Sequence, residues 1–404
     1  MRQSVTLECL EARALFSVVP TFAPDANFYV GQAPSAVATG DFNRDSNLDF
    51  ITADSDSGTV TIRRGRGDGT FRPPTTIAVG IDPAALVVAD FNKDGKLDFA
   101  VALRGENAIV SYKGNGAGGF TLAGRVGTRN LVGTGDFNAV RLVTGDFDGD
   151  SKLDLAVTNV GDGTISVLRG KGSGAFYFRV NTAIPKQPGL PAGPFNADGL
   201  AGADLNGDGK TDLVVTGDAD TIDVLRATTG GHFTLFQQIP NTSIPSLTAL
   251  HNLAIADLNG DAILDLAVTS GGTDEVGIFH GSGGGNFALA SAWDVNVWPV
   301  AFDRGPFDIV AADFNKDGFI DLATANTNAS TRSVLVNDGA GHFSQVIESP
   351  QLDESDDPPV PNPTYAPIAI AYGDFNKDGK QDIILANFVT NNVTVLLNTT
   401  VPIT

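Results

Sequence analysis

Short apolar runs separated by polar, glycine-rich turns recur along almost the whole chain. Within residues 85–120, the runs Ala85–Ala89, Phe99–Leu103 and Ala108–Tyr112 are followed by a Gly-rich turn and a fourth run that opens at Phe120. Runs of this length, rich in Val, Ile, Leu and Phe, predict strands. The chain has no long apolar stripe with a helical period, so no helix is predicted. We therefore expect an all-β protein built from units of four antiparallel strands.

An aspartate-rich loop of nine residues stands between the first and second strands of each unit and occurs seven times. The copies begin 49, 56, 58, 53, 56 and 61 residues apart. They span residues 41–49, 90–98, 146–154, 204–212, 257–265, 313–321 and 374–382. A period of this size indicates an array, a solenoid or a propeller, and four antiparallel strands per repeat is the architecture of a propeller blade.

The two ends of the chain predict how the repeats close. The last unit has strands at 382–387 and 392–398 but no fourth strand, whereas residues 20–43 align with residues 69–92, which include a fourth strand. We therefore predict that residues 21–30 form the outer strand of the last blade, which gives a seven-bladed β-propeller over residues 20–400. Such closure removes an open sheet edge, and a solenoid would instead need polar end caps.

This layout resembles the FG-GAP/VCBS repeat family, whose propellers occur in integrin α-chains and in many bacterial surface proteins. The resemblance covers residues 20–398 and rests on the seven Asp-rich loops together with six turns of the form Gly-x-Phe. These turns are Gly69–Phe71, Gly118–Phe120, Gly174–Phe176, Gly231–Phe233, Gly285–Phe287 and Gly341–Phe343. The resemblance implies the propeller fold, but it does not identify an activity because this fold hosts many functions.

The Asp-rich loops have the ligand types and the spacing of a calcium site. In loop 90–98, side-chain oxygens of Asp90, Asn92, Asp94 and Asp98 and the backbone carbonyl of Lys96 offer about six ligands. An all-oxygen set at flexible spacing suits Ca²⁺ better than Zn²⁺ or Mg²⁺. We predict up to seven Ca²⁺ ions, and the candidate ligands are Asp41, Asn43, Asp45, Asn47, Asp49, Asp90, Asn92, Asp94, Lys96, Asp98, Asp146, Asp148, Asp150, Lys152, Asp154, Asp204, Asn206, Asp208, Lys210, Asp212, Asp257, Asn259, Asp261, Ile263, Asp265, Asp313, Asn315, Asp317, Phe319, Asp321, Asp374, Asn376, Asp378, Lys380 and Asp382.

The sixth position of each loop should turn sharply, and Gly95 fits this requirement because glycine adopts positive φ without strain. Ser46, Ser151 and Ala262 replace glycine in loops one, three and five, where we expect weaker binding. An alternative is that the loops are Asx turns whose carboxylates cap backbone N–H groups without any metal.

The formal net charge of −21 disfavours nucleic acid and anionic membrane surfaces as partners. Extracellular calcium modules bind weakly, in a range that suits the outside of a cell, so the calcium hypothesis predicts an exported, extracellular or cell-surface protein. The single cysteine, Cys9, excludes an intrachain disulfide, and no apolar run is long enough for a transmembrane helix.

Residues 1–19 are expected to form a leader or export segment. The string LECLEARALFS within it resembles the short leader of surface-associated planctomycete proteins, although Phe16 departs from the commoner ending. Glu8 and Glu11 rule out an ordinary secretory hydrophobic region. An amphipathic helix is the alternative interpretation.

The sequence contains no recognisable catalytic motif, so we predict a non-enzymatic protein. His232 and His342 fill the variable middle of Gly-x-Phe turns, while His251 and His280 have no partner visible in sequence. The rival hypothesis is a polysaccharide lyase or hydrolase, which would need an Arg/His cluster, for example one containing His251 and Arg304. A purely structural module of a surface assembly is a third possibility.

Four long insertions are predicted on the face opposite the Asp-rich loops, at 181–200, 237–252, 291–309 and 346–366. Function concentrates in loops on rigid scaffolds, so this insertion face is the expected site for a protein or glycan partner of a monomeric scaffold or adhesion module. Trp293 and Trp298 lie in one insertion and could stack on a sugar, as in a lectin, or anchor a protein. The alternative is that they plug the channel or cover blade edges.

Overall fold

The computed structural model is a ring of seven four-stranded antiparallel sheets, as the sequence predicted. Its described residues include one short 3₁₀ helix, Arg104–Glu106, and no α-helix. No helix among them is long and apolar enough to cross a bilayer. The description covers residues 19–128, 140–160, 163–184, 197–217, 220–240, 243–244, 246–295, 305–350 and 365–401.

Each blade is numbered by its Asp-rich loop, and its strands run in order from the channel to the rim. The first strands are β2 (Pro34–Gly40), β6 (Pro83–Ala89), β10 (Leu142–Gly145), β14 (Ala197–Ala203), β18 (Leu250–Ala256), β22 (Pro306–Ala312) and β26 (Pro367–Gly373). The second strands are β3 (Asp49–Asp54), β7 (Asp98–Leu103), β11 (Asp154–Asn159), β15 (Asp212–Gly217), β19 (Asp265–Ser270), β23 (Asp321–Asn326) and β27 (Asp382–Asn387). The third strands are β4 (Thr59–Arg63), β8 (Ala108–Gly114), β12 (Thr164–Gly170), β16 (Thr221–Ala227), β20 (Glu275–Gly281), β24 (Thr331–Asn337) and β28 (Asn392–Leu396). The fourth strands are β5 (Thr75–Ala78), β9 (Phe120–Gly127), β13 (Phe176–Ala183), β17 (Phe233–Ile239), β21 (Phe287–Asp294), β25 (Phe343–Pro350) and, for blade 7, β1 (Ala26–Tyr29).

First strands contact one another around the ring, and β2 contacts β26 to complete it. All seven second strands are buried along their whole length, so they form the inner layer of the hydrophobic core. Connections between blades, and turns between second and third strands, share one face. The Asp-rich loops lie on the other face, as expected from the sequence.

Aromatic pairs fasten neighbouring blades and explain the repeated Phe residues. The Phe in the second position of an Asp-rich loop packs edge to face against the Gly-x-Phe ring of the next blade. Centroid distances are 5.7 Å for Phe42–Phe120 and 5.1 Å for Phe91–Phe176. Such pairs add specific geometry to the burial of apolar area, so they fix the angle between blades.

The N-terminal strand closes the ring, which confirms the predicted role of residues 21–30. Strand β1 pairs antiparallel with β28 in the register Ala26↔Val395 to Tyr29↔Asn392. A further bridge joins Phe22 to Asn398. The outermost strand of blade 7 therefore comes from the opposite end of the chain.

Candidate functional site

All seven Asp-rich loops adopt the same backbone conformation. The fourth residue has φ between 59° and 79°, and the sixth has φ between 62° and 90°, which is the left-handed region in both cases. Ser46, Ser151 and Ala262 adopt this conformation at the sixth position just as Gly95 does. The replacements of glycine therefore leave the shape of the loop intact.

A repeated set of hydrogen bonds orients the side chains within each loop. In loop 90–98, Asp90 Oδ2 accepts from Gly95 N at 2.7 Å, Asn92 Oδ1 from Asp94 N at 2.9 Å and Asp94 Oδ1 from Lys96 N at 3.0 Å. The same three contacts occur in the other six loops. Because a carboxylate has about four lone-pair sites, these Asx-type contacts leave oxygen lone pairs for a cation.

The ninth-position aspartate of every loop is completely buried, at 0% exposure. One of its oxygens accepts a backbone N–H from the end of the third strand, as in Asp98 Oδ1 with Gly114 N at 2.9 Å. In five loops the other oxygen accepts from the second loop residue, as in Asp382 with Phe375 N at 2.8 Å. In loops two and four, Oδ2 of Asp98 and of Asp212 has no hydrogen-bond partner among the described residues.

Burial raises the pKa of all seven ninth-position aspartates, and the fifth loop carboxylate raises it further in every loop, joined by the first loop carboxylate in all loops except the fifth. The pKa rises from 3.8 to about 6 for Asp49, Asp154 and Asp382, and to about 7 for Asp321. Their backbone hydrogen bonds offset only part of this effect. A cation placed among these carboxylates would therefore stabilise the ionised form.

The third loop brings its carboxylates closest together. One oxygen from each of Asp146, Asp148 and Asp154 lies within 4.8 Å of the other two. Two Ca–O bonds of about 2.4 Å span a similar distance, so one Ca²⁺ could bind all three. Asp148, which replaces the usual Asn, has a side chain only 1% exposed and forms an ion pair with Arg169. The third loop therefore has an additional carboxylate, that of Asp148, and a positive charge from Arg169 that pairs with it.

The lysines at the seventh position do more than offer a carbonyl. The ammonium of Lys96, Lys152, Lys210 and Lys380 pairs with the fifth-position aspartate of its own loop at 2.7–3.1 Å. These contacts were not predicted, although the Asp-x-Lys spacing in four copies could have indicated them. Each of these ion pairs neutralises Oδ2 of the fifth-position aspartate and leaves the other carboxylate oxygens of the loop to other positive charges.

A second set of side chains lies at the opposite end of the first strands, and the sequence analysis singled out only His251 among them. In six blades, the second residue of the first strand lies at a register shift in the pairing between the first and second strands. Arg141, which immediately precedes β10, occupies the equivalent place in blade 3. We call these seven residues the channel-mouth ring; they are Ser35, Ala84, Arg141, Asp198, His251, Phe307 and Ile368. Only an alignment of all repeats at this one position could have revealed the ring.

Other candidates from the sequence have different surroundings. Trp293 is half-buried, lies 6.3 Å from Phe343 of the next blade and packs against the core, so it covers a joint between blades. His342 pairs with Asp338 in its own turn at 3.2 Å. Trp298, Arg304 and the leader segment lie outside the described residues.

Comparisons with known proteins agree with this architecture. The profile of the FG-GAP-like repeat matches residues 41–101, 90–157, 146–201, 204–268, 257–324 and 313–385. No curated protein matches the chain.

Several solved structures share the fold at low sequence identity. A lectin of Agrocybe aegerita that recognises non-reducing terminal N-acetylglucosamine is 18% identical, with a TM-score of 0.53 over 91% of this chain and 86% of the lectin. BBS1N, solved in complex with ARL6DN, is 14% identical, with a TM-score of 0.59 over 94% and 97% of the two chains. A catalytically inactive virginiamycin B lyase from Staphylococcus aureus, solved with quinupristin, is 14% identical, with a TM-score of 0.56 over 93% and 99%.

Proposed function

Because the chain belongs to the family of FG-GAP-like repeat proteins, we propose that it is an exported, calcium-stabilised propeller that binds a protein or glycan without catalysis. The Asp-rich loops are the structural calcium sites in this proposal, and the insertion face carries the partner. The similar folds of a glycan-binding lectin and of a protein in complex with a partner support these two classes of ligand.

The observation that carries the calcium proposal is the buried carboxylate in every loop. Each ninth-position aspartate has no exposure, a raised pKa and further carboxylates nearby. Residues at positions one, three, five and nine would supply side-chain oxygens, and the seventh residue would supply its carbonyl. Bound calcium supplies the positive charge that these carboxylates need and ties the first strand of each blade to the second.

Export follows from the affinity expected of such loops. Calcium sites in extracellular modules bind at about 10⁻⁴–10⁻³ M, which matches concentrations outside cells rather than those in the cytosol. A localisation at the cell surface or in the medium would keep the loops occupied.

The rival function is that of an enzyme, since one structure of similar fold is a virginiamycin B lyase, and a polysaccharide lyase or hydrolase is the candidate from the sequence. A turnover screen on acidic and neutral polysaccharides separates the two proposals. Sustained product formation would reject the binding-module function.

Calcium removal is the direct test of the proposal. We expect EDTA to lower the melting temperature by many degrees and added Ca²⁺ to restore it, because ligand at 100-fold excess over Kd stabilises a site by about 2.7 kcal/mol. Calorimetry or fluorescence melting would measure the shift. A melting temperature that ignores both EDTA and Ca²⁺ would reject the calcium sites.

Asp98→Asn distinguishes a metal site from an Asx turn. Removing the buried charge should raise the melting temperature in EDTA and reduce the increase that Ca²⁺ produces, with one ion fewer bound. Asp68→Asn, in an exposed turn on the same face, is the matched control and should change neither value. If Asp98→Asn leaves the number of bound ions unchanged, loop two is not a calcium site.

A further inference from the structure

Blade 1 concentrates positive charge in a chain whose formal net charge is −21. Four arginines lie within residues 63–72, and a fifth lies in the Asp-rich loop of the same blade. Arg63 is engaged in the fold, because its guanidinium donates to Tyr29 O at 2.9 Å and 2.6 Å and to Arg72 O at 3.2 Å. The other four, with a lysine of loop 7, form what we call the blade-1 basic cluster: Arg44, Arg64, Arg66, Arg72 and Lys377.

The turn between the third and fourth strands of blade 1 lies beside loop 1, on the face that carries the Asp-rich loops. Gly65 N, at the start of this turn, donates to Asp49 Oδ1 at 2.8 Å. A β-carbon placed on Gly67, in the same turn, would lie 3.3 Å from Lys377 Cε. The lysine of loop 7 therefore reaches the turn that carries the arginines of blade 1.

Arg44 and Arg64 reach one turn of blade 2. A β-carbon placed on Gly116 would lie 3.1 Å from Arg44 Cδ. One placed on Gly118, two residues later, would lie 3.1 Å from Arg64 Cδ. Arg64 is half-buried, and the other four members of the cluster are exposed. The cluster therefore extends over the surface from loop 7 across blade 1 to the edge of blade 2.

The other repeats show that the fold does not require this charge. At the position of Arg72 the other six blades have Thr121, Tyr177, Thr234, Ala288, Ser344 and Ala23. At the position of Arg66 they have Asn115, Lys171, Thr228, Ser282, Asp338 and Thr399. Blade 1 alone has arginine at both positions, so the arginines need an explanation other than the architecture of a blade.

Two members of the cluster face each other in an unfavourable pairing. Arg72 N donates to Arg64 O at 2.8 Å, so the two arginines lie opposite each other next to an antiparallel bridge. Like charges in directly opposite positions destabilise a sheet. In blade 2 the equivalent pair is Lys113 and the neutral Thr121. Blade 1 therefore keeps a repulsion that the fold itself could avoid.

The charges of the cluster are not neutralised by direct contacts. No member forms an ion pair with a carboxylate of the described residues. Arg72 interacts electrostatically with Asp45 without such a pair, and Asp68 accepts from Thr70 N at 2.9 Å and from Thr70 Oγ1 at 2.6 Å. The arginines elsewhere that do pair with a carboxylate are Arg104, Arg125, Arg169 and Arg332. The cluster therefore remains available to an anion from solution.

We propose that the blade-1 basic cluster binds a linear anionic polysaccharide, whose carboxylate or sulfate groups pair with successive members of the cluster. Arginine suits this role because its planar fork can bind such an anion through two parallel hydrogen bonds. The inference rests on the proposed function in taking a glycan as the partner, but it places the glycan on the Asp-loop face rather than on the insertion face. Calcium in loop 1 would offset the carboxylates beside the cluster.

The arrangement of the charges favours a polymer over a single small anion. A solvent-exposed ion pair contributes about 0–1 kcal/mol, so one anion on one side chain would bind weakly. A polymer with an anion on each sugar engages several members, and each further contact forms at the high effective concentration that the first contact sets.

Two other classes of polyanion fit the cluster less well. Duplex DNA carries one charge per about 1.7 Å, so the net charge of −21 repels it more strongly, and the five members of the cluster offer no aromatic ring on which unpaired bases could stack. An acidic peptide is more flexible than a chain of pyranose rings and loses more conformational freedom on binding. A polysaccharide is therefore the partner that we test.

Biolayer interferometry with immobilised, calcium-saturated protein tests the inference. The probes share one backbone and differ only in charge: dextran, carboxymethyl dextran and dextran sulfate. We expect at least one charged dextran to bind at least tenfold more tightly than dextran, and the stronger of the two identifies the preferred anion. Raising the ionic strength from about 0.01 M to about 0.1 M should weaken binding, because salt screens exposed charges.

A triple variant locates the site. Arg44→Gln combined with Arg66→Gln and Arg72→Gln removes the three exposed arginines and should weaken binding of the charged dextrans at least tenfold. The matched control removes the same charge from exposed positions of blades 2, 3 and 6 and should bind almost as the wild type does; it combines Arg125→Gln, Lys171→Gln and Lys316→Gln. Equal losses in the two triple variants would mean that net charge, rather than the cluster, attracts the polymer, and would overturn the inference.

The melting temperature separates a binding role from a structural one. Arg72→Gln removes the repulsion with Arg64, so we expect an unchanged or higher melting temperature together with severalfold weaker binding. An arginine kept for the fold would give the reverse, a lower melting temperature with unchanged binding, and that result would overturn the inference.

The remaining outcomes distinguish this inference from the proposed function. If calcium raises the melting temperature but neither charged dextran binds, the inference fails and the calcium proposal stands. If a charged dextran binds while calcium leaves the melting temperature unchanged, the calcium proposal fails and the inference stands. Equally tight binding of poly-L-glutamate would assign the cluster to acidic proteins, and equally tight binding of duplex DNA would assign it to nucleic acid; either result would overturn the inference.

Discussion

At the scale of single residues, repeats show which polar groups belong to the fold. In three blades an asparagine at the end of the second strand donates to a hydroxyl two residues into the third strand, at 2.7–2.9 Å. The pairs are Asn159 with Ser166, Asn326 with Ser333 and Asn387 with Thr394. Blade 4 has Gly217 and Asp223 at these positions, so its buried aspartate lacks the asparagine of those three blades and accepts at Oδ1 from the Gln238 amide at 2.8 Å instead.

Asp223→Asn should stabilise the protein at neutral and alkaline pH. Burial raises the pKa of Asp223 from 3.8 to about 6, and its Oδ2 has no hydrogen-bond partner among the described residues. A raised pKa means that ionisation destabilises the folded state, so this cost is absent below pH 4 and is fully present above pH 6. The shift corresponds to about 3 kcal/mol at most.

Urea unfolding at about pH 4 and about pH 8, with calcium in excess, measures this difference. The gain of Asp223→Asn over wild type should be present at the higher pH and largely vanish at the lower one. Asp56→Asn, in an exposed turn, is the control and should show no such dependence. A gain that is equal at both pH values would contradict a buried, ionised Asp223.

The candidate metal ligands could be identified from sequence because their spacing is local. Positions one to nine lie on one loop, so the hydrogen bonds that orient Asp90, Asn92 and Asp94 join near neighbours in the chain. The second role of Asp98 could not be identified in this way, because its hydrogen bond reaches Gly114, sixteen residues later, on another strand. The contacts of Arg141 and His251 with Phe307 join different blades, so the sequence did not predict them.

At the scale of elements, the strands and their order could be predicted from the sequence because a blade is built from local hairpins. Alternation of apolar runs and turns marked the four strands, and the missing fourth strand of blade 7 revealed the N-terminal partner. Register shifts at the start of the first strands were not predicted, because a bulge depends on pairing rather than on residue type. A register shift changes the direction in which a side chain leaves the strand, and this is why the sequence did not predict the channel-mouth ring as a group.

Ring closure also depends on a buried ion pair between the closing segment and blade 6. Arg332 is 5% exposed and donates to both oxygens of Asp25, at 3.2 Å and 2.8 Å. Asp25 immediately precedes β1, so this contact fixes the strand that completes blade 7. The guanidinium would be left without its counter-ion if the N-terminal strand detached.

Asp25→Ala should therefore destabilise the whole propeller. Removing one partner of a buried pair leaves an uncompensated charge and costs about 3–5 kcal/mol. Denaturant unfolding should show a lower midpoint, and the outer strand of blade 7 should exchange its amide protons faster. Arg125→Ala breaks an exposed pair with Glu106 and should have little effect. If Asp25→Ala matches this control, the pair has no role in closure.

At the scale of the whole molecule, the formal charge of −21 acts against a compact ring. Forty-seven acidic residues face only 26 Lys and Arg, and the Asp-rich loops concentrate much of this charge on one face. Like charges that converge in a folded structure repel, and the unfolded chain relieves the repulsion by separating them. Seven Ca²⁺ ions would reduce the net charge to one third of its value and would do so where the repulsion is strongest.

Salt should consequently substitute in part for calcium. Raising the ionic strength shortens the screening length from about 30 Å at 0.01 M to about 10 Å at 0.1 M, so it weakens repulsion between loops on different blades. In EDTA we expect the melting temperature to rise by several degrees as NaCl increases over this range, whereas calcium-saturated protein should respond much less. KCl serves as a control for ion identity and should give the same curve. An equal response with and without calcium would show that the Asp-rich loops are not the main source of repulsion, since their neutralisation would then leave the salt dependence unchanged.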